Sequence, residues 1–262
     1  MAINLAATGR LPRAVCALAL ALGVCAPAWA ERTDIDVRVL ARGAKFIGGY
    51  TASASVTLTD ADTGEVLARG LTQGTTGDTE RILKGGVNGD GRLASGDSAV
   101  FKASLDLKSA RRVTATVTGP LSQPQAATTV VSTQWVLPGR HVTAGDGWLL
   151  ELPGLIVDLL QPAAYQWSDK NSSVPLQAAV TMMCGCGLSE NGPWKVGDTE
   201  VEASVSINGK PQPVQKLAFD AASGKFATQI KTQGPGIYEV EVRAWAGPTN
   251  NAGVARTAFF VH

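Results

Sequence analysis

The sequence predicts an all-β protein made of two β-sandwich domains in tandem. Three observations predict it. Short segments alternate apolar and polar residues along most of the chain. Gly-rich turns separate them at the regular spacing of a sandwich. No segment outside residues 147–165 departs from this pattern toward a helical period.

The elements follow in order. Val37, Val39 and Ala41 alternate with Asp36, Arg38 and Leu40, the first two charged. Residues 53–59 alternate again, with Ala54, Val56 and Leu58 on one face. Asp60-Ala61-Asp62-Thr63-Gly64 then predicts a turn into a second strand over 65–71, a hairpin. Residues 99–107 and 112–118 repeat the pattern, and 126–137 is long and β-branched. In the second half, strands are expected at 174–184, 200–207, 214–219, 225–231, 236–244 and 255–261. The organisation expected is a leader over 1–30, an N-terminal sandwich over 31–140, an apolar interdomain connector over 141–173 and a C-terminal domain over 174–262.

The last hairpin carries a family resemblance. Gly236-Ile237-Tyr238-Glu239-Val240-Glu241-Val242-Arg243-Ala244, then Gly247 and Asn250-Asn251, then the strand over 255–261, resembles the closing hairpin of bacterial immunoglobulin-like domains. The resemblance covers residues 174–262 at the level of fold. It implies a sandwich with Tyr238 as the corner tyrosine, its hydroxyl bonded back to the chain. Such sandwiches host adhesion, carbohydrate binding, scaffolding and some metal sites alike. The family's usual inter-sheet disulfide is absent, because Cys184 and Cys186 are too close in sequence to bridge two sheets.

The N-terminus reads as a secretory leader. Arg10 and Arg13 give a positive start, an apolar run follows over 14–26, and Ala28-Trp29-Ala30 supplies a small-x-small cleavage pattern. Cleavage is expected after Ala30. A lipoprotein reading would use Cys25, but Val24 stands where a small residue is wanted. The run is too short to span a bilayer, which takes about 20 residues. The expectation is therefore a periplasmic or secreted protein with no integral membrane segment after leader removal. That compartment permits disulfides. Losing Arg10 and Arg13 from 23 basic residues leaves 21 against 22 acids. A charge near neutrality argues against nucleic acid as a partner. The expected partner is an unknown protein or a small apolar ligand.

Chemistry is concentrated in Met182-Met183-Cys184-Gly185-Cys186, which holds all the sulfur outside the leader and Met1. On an extended strand Met182, Cys184 and Cys186 share one face and Met183 points away. Side chains two apart start about 6.6 Å from each other. Two sulfurs on one metal must come within roughly 4.6 Å, which leaning side chains can reach. Thiolate and thioether ligands select Cu(I), and Trp194 stands close enough in sequence to cap a cation with its ring. Zinc fits less well, since His141 and His262 are the only histidines and a closed zinc site wants four N or S ligands. The competing reading is a Cys184–Cys186 disulfide, which a turn at Gly185 would bring within bonding range. A third is a strand whose cysteines are free, buried core fillers.

Other features are weaker. Residues 147–165 crowd Trp148, Leu149, Leu150, Leu152, Leu155, Ile156, Val157, Leu159 and Leu160 around Glu151 and Asp158. They read as a buried connector or a strand covered on both faces, with an apolar ligand groove or docking surface as the functional alternative. Asn88, Asp90, Gly91 and Asp97 match part of a calcium loop, but Gly86 stands where an acid is needed, so a Gly-rich hairpin loop is expected. A Cys184–His141 pair could be drawn, but nothing orients the base. No nucleophile elbow or zinc-protease motif is present. The sequence thus points to an exported, non-enzymatic binding protein with a soft-metal Cu(I) site at Met182, Cys184 and Cys186. The alternative is an extracytoplasmic interaction or scaffold module whose Cys184–Cys186 pair is a local disulfide.

Overall fold

A computed structural model describes residues 29–49, 53–86 and 91–262. The segment read as a leader, apart from Trp29 and Ala30, lies outside the described residues, as do Asn88 and Asp90 of the calcium-loop pattern. Nearly every described element is a strand, and they fall into four sheets.

The N-terminal half holds two of them. One is β4–β1–β7, formed by Phe101–Leu107, Glu31–Ala41 and Trp148–Leu152. The other is β3–β2–β5–β6, formed by Val66–Leu71, Ser55–Asp60, Arg111–Gly119 and Thr128–Val136. The Asp60 turn forms as its residues dictate: the Asp60 carboxylate accepts the Asp62 and Thr63 backbone N–H groups at 3.0 and 2.9 Å. That side chain satisfies turn donors the ladder cannot reach. Alternation was legible in β4 and β5, whose every second residue is buried. It fails in β1. Arg38 and Leu40 are buried as well as Val37, Val39 and Ala41, because a second small core of Phe46, Ile82, Ala94 and Ala99 covers the other face of Leu40. Ile82 belongs to a single helical turn, α1 (Thr79–Leu83), capped by the Asp78 side chain on the Arg81 N–H. The sequence contains that cap, but five residues are too few to show a helical period.

The C-terminal half holds β14–β15–β10–β8 (Ala218–Asp220, Lys225–Lys231, Ser173–Met182, Leu155–Gln161). Against it stands β12–β11–β16–β17–β9 (Lys210–Pro211, Thr199–Ile207, Gly236–Ala246, Asn251–Val261, Trp167–Ser168), with β13 (Gln215–Lys216) pairing β11 beside β12. Tyr238 is fully buried and stacks on Phe259 with ring centres 4.9 Å apart. Its hydroxyl donates to the Gly234 carbonyl at 3.0 Å and accepts the Gln233 N–H at 2.9 Å. That is the corner tyrosine expected from the last hairpin. The fold is all-β, of the immunoglobulin-like sandwich type.

The stretch expected to connect the halves is built differently. Residues 141–173 contain three strands, β7, β8 and β9, which enter three different sheets. β7 runs parallel to β1, with Val37 opposite Trp148, and β8 pairs antiparallel with β10, with Val180 opposite Val157. The apolar run is one strand from each half joined through Pro153 and Gly154; β7 alternates, with Leu149 and Glu151 exposed, while β8 opens with three buried residues, Leu155, Ile156 and Val157. Leu152, Leu155 and Val157 are buried in a single core that continues through both halves. Polar closure of the crossing comes from Asn251, itself fully buried. Its Oδ1 accepts the Gly154 N–H at 2.9 Å and its Nδ2 donates to the Arg42 carbonyl at 3.0 Å.

Candidate functional site

The sulfur-bearing segment is a hairpin tip. β10 ends at Met182, not at Cys184 as the alternation suggested. The Gly185 N–H donates to the Met182 carbonyl at 2.8 Å, and the Met182 N–H to the Cys186 carbonyl at 2.9 Å. Gly185 has φ +77°, the left-handed region that favours glycine. A turn followed by a left-handed glycine is the usual geometry of a three-residue hairpin loop. Thr181 and Gly187 then pair across the two arms.

This turn overturns the face assignment made from an extended strand. Met182, Met183 and Cys184 are all buried, at 2%, 0% and 0% exposure. Met183 does not point away to solvent. Its thioether packs beside Gly154, where an added Cβ would stand 3.2 Å from Sδ. The curl also brings Cys184 and Cys186 to a Cα separation of 5.4 Å, and their sulfurs are bonded. Of the two outcomes that hung on Gly185, the backbone takes the turned one. A bonded pair has no thiolate to offer a metal, since thiolate rather than disulfide sulfur is the ligand.

The Trp194 side chain does not cap the sulfurs. Its Nε1 donates to the Gly43 carbonyl at 2.9 Å, across to the N-terminal half. Sequence spacing did bring one pair together: Trp194 and Met182 line the same small cavity of about 120 Å³, with Leu188, Ala246 and Pro248. Its walls are mainly apolar, and it lies at the junction between the halves. The loop carrying Trp194 is held by the Ser189 N–H on the Trp194 carbonyl and by the Ser189 hydroxyl, which accepts the Gly192 N–H.

The remaining candidates separate. His141 Nδ1 accepts the Asp34 N–H at 3.0 Å, on β1, while Cys184 is bonded to Cys186, so no thiolate–imidazole pair forms. Asp97 is engaged in its own turn, accepting hydrogen bonds from the Ser95 and Thr75 hydroxyls at 2.7 and 3.1 Å. Those bonds, Ser95 first, hold its carboxyl below the usual range. Among the described residues no group of three or more His, Cys, Asp or Glu side chains is placed to hold a metal ion. Also among them, no helix is long and apolar enough to cross a membrane.

Asn251 was missed from sequence, and its only signal was the Asn250-Asn251 pair after Gly247. Asn250 adopts φ +53° and turns the chain so that Asn251 can start β17 facing the junction.

No known family matches the sequence, and no curated protein does. Solved structures overlap it loosely. Fibronectin(III)-like modules of Clostridium thermocellum CbhA align over 88% of this chain and 93% of their own, at 13% identity and TM-score 0.28. The titin domains z1z2, in complex with telethonin, align over 89% and 88%, at 13% identity and TM-score 0.24. An engineered protein aligns over 48% of this chain at 14% identity and TM-score 0.31, and the chain spans about a quarter of its length, 24%. At such scores the immunoglobulin-like assignment stands on this chain's own strand order and its Tyr238 corner.

Proposed function

We propose that this chain is an exported, non-enzymatic interaction module, and that its Cys184–Cys186 pair is a structural disulfide closing a hairpin tip. The carrying observation is the bonded pair across the Gly185 turn, with Cys184 at 0% exposure. A bonded pair offers no attacking thiolate, and its Cys184 sulfur is closed to exchange by burial, while Cys186 is partly buried. The leader over 1–30 supports export to a compartment where such a bond persists. His141 Nδ1 is taken by the Asp34 N–H, so the Cys184–His141 pair drawn from the sequence does not form. Intact mass of the purified protein tests this. A mass two hydrogens below the dithiol form, unchanged by mild reductant, is expected. Free thiols that alkylate rapidly without denaturant would sink the reading.

A competing reading keeps Cu(I) at Met182, Cys184 and Cys186. It is favoured by the three sulfurs lying in one tip, with Met182 on the cavity wall. It requires the reduced pair, since Cu(I) is held by thiolate and thioether sulfur. Anaerobic titration of the reduced protein with Cu(I) against a strong chelator separates the two. Competitive binding lost in Cys184→Ser/Cys186→Ser would establish the metal reading. Binding that this double variant leaves unchanged would exclude it.

A further inference from the structure

The outer face of the β11–β16–β17–β9 sheet carries a second aromatic cluster, unrelated to the sulfur hairpin. Tyr165 is 71% exposed and Trp167 65% exposed. Between them in space lies Phe260, whose ring centre is 6.0 Å from Tyr165 and 5.0 Å from Trp167. His262 extends the row, 5.8 Å beyond Trp167. The placement follows from register: Trp167 on β9 lies opposite Phe260 on β17. Phe259 points inward to Tyr238, so Phe260 must point outward.

The platform is held at a conformational cost. Tyr165 adopts φ +61°, a region an aromatic residue rarely occupies. Its backbone is fixed there by its N–H on the Ala258 carbonyl at 2.7 Å, and the next residue accepts the Phe260 N–H at 2.8 Å. Burying a ring would explain strain of this kind, but this ring is displayed. Strained backbone that presents an exposed side chain points to recognition.

Beside Tyr165 opens a shallow groove of about 550 Å³. Its floor is polar and already ordered. The Ser206 hydroxyl donates to Glu239 at 2.8 Å, and Arg256 Nε donates to Glu241 at 2.8 Å. Each carboxylate keeps lone pairs to accept further hydrogen bonds, and the guanidinium keeps donors.

We propose that this face binds a neutral polysaccharide, with sugar rings stacked on Trp167, Phe260 and Tyr165 and hydroxyls bonded to Glu239, Glu241 and Arg256. A pyranose has C–H faces that suit the negative face of an aromatic ring, and an equatorial rim of hydroxyls that suits paired carboxylates and guanidinium. Other occupants fit worse. An anionic chain would meet two carboxylates against one guanidinium. An apolar helix would desolvate those charges without pairing them. A strand adding to the sheet would find only two residues of edge at β9. The inference rests on the binding-module reading, but it uses no residue of the sulfur hairpin.

Affinity electrophoresis of the purified protein tests it, in gels holding mixed-linkage β-glucan, xylan, dextran or, as the anionic probe, dextran sulfate. Retardation by at least one neutral polysaccharide is expected. Trp167→Ala should weaken it about tenfold or more, the scale of losing a central aromatic contact. Tyr165→Ala, at an exposed loop position, should act likewise with the melting temperature kept, and serves if Trp167→Ala folds poorly. Cys184→Ser/Cys186→Ser should leave retardation intact, so failure of the disulfide reading and failure of this one are distinguishable. Four outcomes would overturn the proposal: no retardation by any neutral polysaccharide, retardation by dextran sulfate alone, equal retardation of the parent and both aromatic variants, or a dimer that Trp167→Ala dissociates, which would mean a second copy occupies the face.

Discussion

Phe259 and Phe260 are neighbours on β17 and belong to two aromatic clusters on opposite faces of one sheet. Inward, Phe259 and Tyr238 are both fully buried, their rings stacked and the one polar atom, the Tyr238 hydroxyl, bonded on three sides by Gln233 and Gly234. Outward, Phe260 is flanked by Tyr165 and Trp167, both largely in solvent. The strand period of two puts them on different faces, and solvent then decides what each ring can contribute. A ring removed from water stabilises the fold. A ring left in water keeps its unburied surface for a ligand. The same residue type therefore serves stability on one face and is free for recognition on the other.

The largest expected effect lies on the inner face. Tyr238→Ala should destabilise by about 3–5 kcal/mol, the cost of a large cavity where a buried ring stood. Tyr238→Phe should cost about 1–3 kcal/mol, because the Gln233 N–H and the Gly234 carbonyl lose a buried partner. Urea unfolding of both variants measures this. If Tyr238→Phe unfolds like the parent, the corner hydroxyl carries no weight and the inner cluster is packing alone.

Next comes the hairpin tip. The loop closed by Cys184 and Cys186 has a sequence separation of 2. Loop entropy on that scale yields only about 1.5 kcal/mol. Cys184→Ser/Cys186→Ser should therefore lower stability by less than Tyr238→Ala, with little change in the urea slope. A loss as large as that of Tyr238→Ala would mean the bond anchors the core around Met182 and Met183 rather than the tip alone.

The two faces were not equally legible in the sequence. The resemblance of 236–244 to a closing hairpin placed Tyr238 at the corner, and it is buried there with its hydroxyl bonded back to the chain. Turn chemistry placed the Asp60 hairpin. Alternation failed where it was carried past a turn. Gly185 curls the chain after Met182, and this put Met183 and Cys184 inside together, against the face assignment. A lone glycine in an apolar run does not announce a positive φ. The apolar stretch 147–165 was ambiguous for another reason: Leu149 is apolar although exposed on β7, and β8 opens with Leu155, Ile156 and Val157 all buried, so the two strands read as one run. Trp194 illustrates the last limit. Its nearness to Met182 was legible, but its bond to Gly43, far away in sequence, was not.

A smaller effect, confined to acid, separates charge from shape at the Asp60 turn. The Thr63 N–H foremost, together with the Asp62 N–H and Arg111, holds the Asp60 carboxyl below its usual value of 3.8. A carboxyl with a depressed folded pKa stabilises above its unfolded pKa, and that contribution is lost as pH falls through the folded value. The parent should therefore lose melting temperature below about pH 4. Asp60→Asn keeps an acceptor for the turn but has no charge to titrate, so the gap between the two should narrow as pH falls. Parallel curves for parent and variant down to pH 2 would show that Asp60 acts by shape only.

The outer face should give the smallest change in stability. Trp167 is 65% exposed and occupies a two-residue edge strand, so Trp167→Ala removes little buried area. What it loses is ring contact with Phe260 and His262, about 0.5–1.5 kcal/mol per pair and at the low end for rings this exposed. The comparison sharpens if this variant melts close to the parent yet no longer moves slowly through a neutral polysaccharide, while Tyr238→Phe does the reverse. It breaks if Trp167→Ala unfolds as readily as Tyr238→Ala. The outer rings would then be holding β9 and the 162–168 turn onto the sheet, and their exposure would reflect a structural brace rather than a surface kept free for a ligand.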